Sequence, residues 1–478
     1  FTETGIFRVK IDDTVSPEFR VGNDIYEDLL KTMLRGIYVS RCSQEVKDVF
    51  VPHAACHLGA GKKRMVDGVL IDDDRNVLGG WHNGGDYRRS SLSHAEVTNR
   101  LMEVIELFPD SYSTLDSGLH PSERIDDWPD IYIETKWGLD WLLQMMNAQG
   151  GVSIGLGPLS QTMPGKIGPD KDDTLYYIGD VYAANTAKTG AALARASRIY
   201  KEYDATFSEL CQQKAILAWN YLQNNRNQEN PNTVFTYKYN TTRDADLMWL
   251  TMELYSNTGE KKYHNQFKSL FNGLPNAFPE ENISTHTMRV NNLAGVLLRY
   301  CNITSRAIDN TIRNEILAAY PATMDRYVQK ARLDGYGNLL PTEFWSSRHT
   351  IGNMLHKAWT LLIASTIENN QDYRETALSQ LNIMLGRNAL GKVFVTGIGE
   401  NPVSYPHYRP FNINKVAPPG LPVKGPTHDA HYLRKNYSGS YPPPAKAYID
   451  NYNKHWVNEA GIEVMAYAIA FSAYLYAN

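Results

Sequence analysis

The chain has 478 residues, enough for a large core, and its formal net charge of −4 with no block of like charges leaves no electrostatic footprint for a nucleic-acid partner. Four cysteines are too few for a disulfide scaffold of this length, and the most apolar stretch, "VMAYAIAFSAYLYA", falls short of the roughly 20 residues a membrane span needs. The 30 Tyr and 9 Trp offer flat faces with polar tips, which suit carbohydrate surfaces and core packing alike.

In chain order, "TGIFRVKID" alternates apolar and polar residues like a strand. From residue 21 onward the dominant signal is helical, with apolar residues recurring at three and four. It runs through "NDIYEDLLKTMLRGIYVS", "HAEVTNRLMEVIELF", "IYIETKWGLDWLLQMM", "DVYAANTAKTGAALARASRIY", "FSELCQQKAILAWNYL" and "RDADLMWLTMELYS". It continues in "KKYHNQFKSLF", "HTMRVNNLAGVLLRY", "AIDNTIRNEILAAYPATMDRYV", "GNMLHKAWTLLIASTI", "YRETALSQLNIMLG" and "NEAGIEVMAYAIAFSAYLYA". Twelve helices with connections of very unequal length argue against a repeat array and for one all-α body carrying long functional loops. Three loops stand out, at residues 41–90, 147–178 and 387–456, and few convincing strands follow residue 20.

The first loop contains "GGWHNGGDYRRS", two glycine pairs framing Trp81, His82, Asn83 and Asp86. Such a run reads as a tight turn that brings backbone close to a ligand, although an Asp in a glycine-rich turn can also be a plain turn former. At the other end of the chain, "NKHWVNEAGIE" places Glu459 at the mouth of the last helix, where an acid also complements the helix dipole. Together the two carboxyl groups are the pair that glycoside hydrolysis needs, one to activate water and one to protonate the leaving oxygen. "YPHYRP" holds His407 and Arg409 between prolines, presented in extended chain to hydrogen-bond sugar hydroxyls or a carboxylate. Cys42, Cys56, His57 and His82 make a two-Cys, two-His set suited to tetrahedral zinc, with a Cys42–Cys56 disulfide or two buried thiols as alternatives.

In this order the pieces resemble the family 9 glycoside hydrolases, the inverting cellulases and their relatives. The likeness rests on "FRVGNDIYEDLL", "HAACH", "GGWHNGGDY", "ETKWGLDWLLQM", "LNIMLGRNALGKVFVTGIGENPVSYPHYRP" and "YIDNYNKHWVNEAGIE", and covers nearly the whole chain. It implies an (α/α)6 barrel of twelve helices over residues 21–478. Residues 1–20 then form a short N-terminal β segment, the last strand or remnant of an Ig-like module. It further implies Asp86 as general base, Glu459 as general acid, and His407 and Arg409 as substrate ligands, with Tyr408 departing from the family's "HHR"-like motif. Cys42, Cys56, His57 and His82 match positions that hold structural zinc in some members. Calcium is a second metal expectation, and no organic cofactor is expected.

The loop reads "NGGD" where the family reads "DAGD", so Asn83 stands in for an aspartate that helps hold the water. Its carbonyl is expected to face the water beside Asp86, leaving Asp86 as the sole base. Arg88 and Arg89 add positive charge nearby, which would favour an acidic sugar unless they form a solvated face. Trp81, Tyr87, Tyr408 and Trp345 are expected to stack on sugar rings. The sequence reading is therefore a monomeric inverting glycoside hydrolase that is secreted, periplasmic or cell-surface and acts on a β-linked polysaccharide or oligosaccharide. The alternatives are an acidic or amino-sugar glycan, or a homologue that binds without cleaving. Inversion sets the carboxyl groups about 6.5–9.5 Å apart.

Overall fold

The computed structural model describes the chain apart from residues 1–2, 23, 67–68, 74, 113–118, 120–122, 126, 159–166, 227–242, 279–292, 341–348 and 478. Each of the twelve helical stretches read from the periodicity contains one long helix. They are α1 (Ile25–Tyr38), α2 (Ser91–Leu107), α3 (Asp130–Met145), α4 (Ala183–Ile199), α5 (Ala205–Asn225), α6 (Arg243–Thr258), α7 (Lys261–Asn272), α8 (Leu293–Cys301), α9 (Asn310–Leu333), α10 (Thr350–Glu368), α11 (Gln371–Met384) and α12 (Ile462–Ala477). Side chains set several starts. Asp204 accepts the Phe207 N–H at 2.9 Å ahead of α5, and Asn370 accepts the Tyr373 N–H at 3.1 Å ahead of α11. Left-handed Asn369 (φ 50°) ends α10 and reverses the chain into α11.

The even-numbered helices form an inner ring. α2 packs on α4, α4 on α6, α6 on α8, α8 on α10, α10 on α12, and α12 closes back on α2. The odd-numbered helices lie outside, so the fold is an (α/α)6 barrel. The inner helices are polar as well as apolar, and their polar stripe is buried with them. Arg100 pairs with Glu96 at 2.9 Å and with Glu103, and Arg195 pairs with Glu253 at 3.0 Å. Buried charges of this kind are tolerated only when paired.

At the N-terminus, β1 (Gly5–Phe7) pairs antiparallel with β4 (Phe19–Val21), and β2 (Lys10–Ile11) with β3 (Thr14–Val15). The expected single strand is thus a short ribbon whose last strand crosses the residue 20/21 boundary. The two long loops before α4 pair with each other. β5 (Lys63–Val66), β6 (Val69–Asp72), β7 (Arg89–Ser90), β8 (Gly155–Pro158) and β9 (Tyr176–Ile178) form one five-stranded sheet in the order β6-β5-β9-β8-β7. That sheet carries the glycine loop directly into α2. In the third loop, β10 (Val393–Thr396) pairs with β11 (Pro402–Val403).

Candidate active site and metal centre

Three extended segments converge on Glu459. From the glycine loop, Gly84 bridges Gly461 and the Asn83 carbonyl accepts the Ile462 N–H at 3.1 Å. From the "YPHYRP" segment, the His407 N–H donates to the Asn458 carbonyl at 2.7 Å. From residues 422–425, the Lys424 N–H donates to the Glu459 carbonyl at 3.1 Å and the Gly425 N–H to the Val457 carbonyl at 2.9 Å. The glycines permit this approach. A Cβ on Gly85 would lie 2.2 Å from the His407 carbonyl oxygen, and one on Gly84 would lie 2.7 Å from that of Ala460. Asp86 directly follows this contact, so the chain beside Asp86 meets Glu459, 373 positions further along the sequence.

Asp86 also closes the turn. Its Oδ1 accepts the Arg88 N–H at 3.0 Å, and Arg88 Nε lies 4.0 Å from Oδ2. Asn83 Oδ1 accepts the Ser90 N–H at 3.0 Å, which ties the loop to the start of α2. This bond orients the side-chain carbonyl, which keeps a second lone pair. An aspartate could accept the same bond, so Asn83→Asp should leave kcat within about fivefold, the change that roughly 1 kcal/mol of hydrogen-bond strength makes. A loss of kcat comparable with that of an Asp86 variant would contradict this placement.

Burial pushes the Glu459 carboxyl up, but the Lys424 ammonium and then His407 outweigh it and hold the acid low, at about 2. Lys424 Nζ contacts Glu459 Oε2 directly. His407 donates Nδ1–H to the Tyr452 carbonyl at 2.7 Å, which fixes its tautomer and turns Nε2 away from that bond. Asp450 and Asn458 clamp the segments together. Asp450 accepts the Ser404 and Tyr405 N–H groups at 2.9 and 3.0 Å, and Asn458 Nδ2 donates to the Tyr405 carbonyl at 2.5 Å. Arg409 is buried with its guanidinium 5.5 Å from the centre of the Tyr87 ring, and its Nη1 has no hydrogen-bond partner among the described residues.

Three of the aromatics expected to stack on sugar are core residues. Trp81, Tyr87 and Tyr408 are at most 1% exposed. Their polar tips bond inward: Trp81 Nε1 to Glu134 at 2.6 Å, Tyr87 OH to the Ile167 carbonyl at 2.5 Å, and Tyr408 OH to the Val39 carbonyl at 2.7 Å. No ring face is left for a ligand, because the loops use these side chains to pack onto the barrel. Arg89 is likewise buried, donating from Nη1 to the Gly79 carbonyl at 2.6 Å, so it is neither a solvated face nor part of the cleft. Trp345 lies outside the described residues. The exposed aromatic in this region is Tyr405, at 56%.

Cys42, Cys56, His57 and His82 converge so that their ligand atoms all lie within 4.8 Å of one another and could hold one metal ion. Cys42 Sγ is 3.5 Å from His57 Nδ1 and 3.7 Å from Cys56 Sγ, and Cys56 Sγ is 3.8 Å from His82 Nε2. Both cysteines are free thiols, so the disulfide alternative is not the one adopted. Burial raises the Cys42 thiol, but the Cys56 S–H, Arg89 and the two histidines lower it well below its ordinary value, while Cys56, the donor to Cys42, is pushed up. Asp172, absent from the sequence reading, orients His57 through Nε2 at 3.2 Å, the usual outer-shell arrangement. Sulfur and nitrogen donors do not suit calcium, and this is the one such cluster among the described residues.

Two acids carried on segments that meet, one on a glycine loop and one at a helix entrance, are the kind of pair glycoside hydrolysis needs. The glycosyl hydrolase family 9 model matches residues 26–472, and the chain belongs to that family. It is 27% identical to a cellodextrinase of Butyrivibrio fibrisolvens, over 96% of this chain and 86% of the relative. It is 26% identical to endoglucanase D of Acetivibrio thermocellus, over 95% and 71%. Among solved structures, a metagenome-derived family 9 endoglucanase superposes with a TM-score of 0.86 at 28% identity, over 100% of this chain and 86% of that one. A Zn-binding triple mutant of the family 9 endoglucanase J30 gives 0.87 at 26% identity, over 99% and 89%. No helix among the described residues is long and apolar enough to cross a membrane.

Proposed function

We propose that the protein hydrolyses a β-linked glucan with inversion, outside the cytoplasm. Asp86 removes a proton from the attacking water, and Glu459 protonates the departing glycosidic oxygen. The Gly84–Gly85 backbone, which leads into Asp86 and packs against Glu459, is the observation that carries this reading. The cellodextrinase and endoglucanase relatives support a β-glucan as substrate. His407 Nε2 is the group offered to sugar hydroxyls, and exposed Tyr405 offers an aromatic face. A second reading, a glycan bearing carboxylates, is favoured by the cations Arg88 and Lys424 beside the two acids. Incubation with a panel of neutral, amino and acidic β-glycans, with products resolved by size, tests both. Release of short oligosaccharides from neutral β-glucan supports the first reading, and cleavage confined to the acidic arm favours the second.

The metal we assign to the Cys42, Cys56, His57 and His82 group is zinc. Tetrahedral zinc with bonds of about 2.3 Å to sulfur and about 2.05 Å to nitrogen has ligand–ligand edges of roughly 3.5–3.8 Å. The three contacts above span the same range. With four protein ligands the ion has no open position, and its role is to anchor the loop through His82. Elemental analysis should find about one zinc per chain. A site held at 1,000 times its Kd adds about 4 kcal/mol of stability, so stripping the metal, or Cys56→Ser, should lower Tm markedly. A zinc-free protein with unchanged Tm would contradict the assignment.

A further inference from the structure

The Lys424–Glu459 contact is not needed to hold the fold at this point. Backbone hydrogen bonds from Lys424 to Glu459 and from Gly425 to Val457 already pair the two segments, and Val423 bridges Ala460. The Lys424 carbonyl also accepts the Ile351 N–H at 3.0 Å, which fixes the strand to the start of α10. The ammonium is nevertheless carried into a buried setting, where Lys424 is only 8% exposed, and set on one oxygen of the Glu459 carboxyl. Burying an ion pair costs desolvation that its attraction often fails to recover, so such a pair is weak evidence for a stabilising role. The other groups around Glu459 are His407 from the 405–409 segment, His455 from its own side, and the Gly84–Gly85 backbone leading into Asp86. Lys424 is a cation in direct contact with the carboxyl.

We propose that Lys424 is a positioning residue for the acid. It holds Glu459 as an oriented carboxylate in the free enzyme and so sets the upper pH limit of catalysis. The inference rests on Glu459 being the acid. To turn over, Glu459 takes one proton from solvent while Lys424 remains an ammonium. That proton passes to the glycosidic oxygen as the C1–O bond breaks and its electron pair leaves with the oxygen. The water oxygen bonds to C1, its proton goes to Asp86, and Asp86 returns the proton to solvent.

The sign follows from the charge. An opposite charge in contact with a carboxyl lowers its pKa by about 1–3 units, and its removal restores the proton to higher pH. Lys424→Met should therefore move the alkaline limb of kcat/KM on a soluble β-glucan upward by about 1–3 units and raise the rate above that limb. Lys424→Gln, which keeps a donor without charge, should shift the limb in the same direction, and Lys424→Arg should keep the original limb. A purely structural lysine would lower Tm and activity together without moving either limb. If the limbs of the folded Met and Gln variants superimpose on that of the parent, the proposal is overturned. If Glu459→Gln retains full activity, the underlying assignment of the acid fails instead, and the two failures are thereby distinguished.

Discussion

Asp86→Asn is expected to lower kcat on the preferred β-glucan by about 10²–10⁴-fold, the range a positioned base contributes. That corresponds to about 3–5 kcal/mol of transition-state stabilisation. Asn83 offers no substitute. Asn83 is an amide whose carbonyl already accepts the Ser90 N–H, and it cannot take a proton. The Arg88 N–H that Asp86 accepts at 3.0 Å can be accepted equally by an asparagine carbonyl, so the loop should keep its shape and Tm should change little. KM should stay near its parent value, because the loss falls on a group that acts in the transition state. A small anionic nucleophile such as azide should restore turnover to Asp86→Ala, since it needs no base. Near-normal kcat in Asp86→Asn, measured on a folded variant, would remove Asp86 from the mechanism.

Glu459→Gln is expected to cost a similar factor on glycans, about 10²–10⁴-fold, but with a dependence that Asp86 variants lack. A glycan's leaving alkoxide requires a proton, whereas an aryl glycoside with a strongly acidic phenol does not. The variant should therefore retain most of the parent rate on the activated aryl substrate and lose nearly all of it on β-glucan. Glutamine can keep a hydrogen bond from Lys424 through its carbonyl, so the segment should remain in place. Equal losses on both substrates would mean that Glu459 holds structure and does not donate a proton.

The helices were legible because an α-helix that buries one stripe repeats its apolar residues at three and four, and all twelve did so. Their roles were not legible. Glu96, Arg100 and Glu103 form a polar stripe that local periodicity would turn to solvent, yet ring closure turns it inward. The five-stranded sheet went unread because its strands are two to four residues long, and Arg64 pairs with Ile178 across a separation that no local pattern reveals. The carboxylates and the Cys/His group were readable as residue types with distinctive chemistry. The aromatics beside them were not: Trp81 and Tyr408 have the composition of a sugar platform, and only burial separates that from core. Lys424 was missed, although a single charge within "GLPVKGP" is the kind of signal that marks a buried partner.

Direct displacement of the glycosidic oxygen by a water that Asp86 activates fixes the anomer released first. Proton NMR of a β-1,4-linked gluco-oligosaccharide, recorded during the first minutes of hydrolysis, tests it most directly. The new reducing ends should appear first as the α-anomer, with the β-anomer growing in later by mutarotation. Initial release of the β-anomer would mean retention of configuration and would contradict the roles assigned to both Asp86 and Glu459.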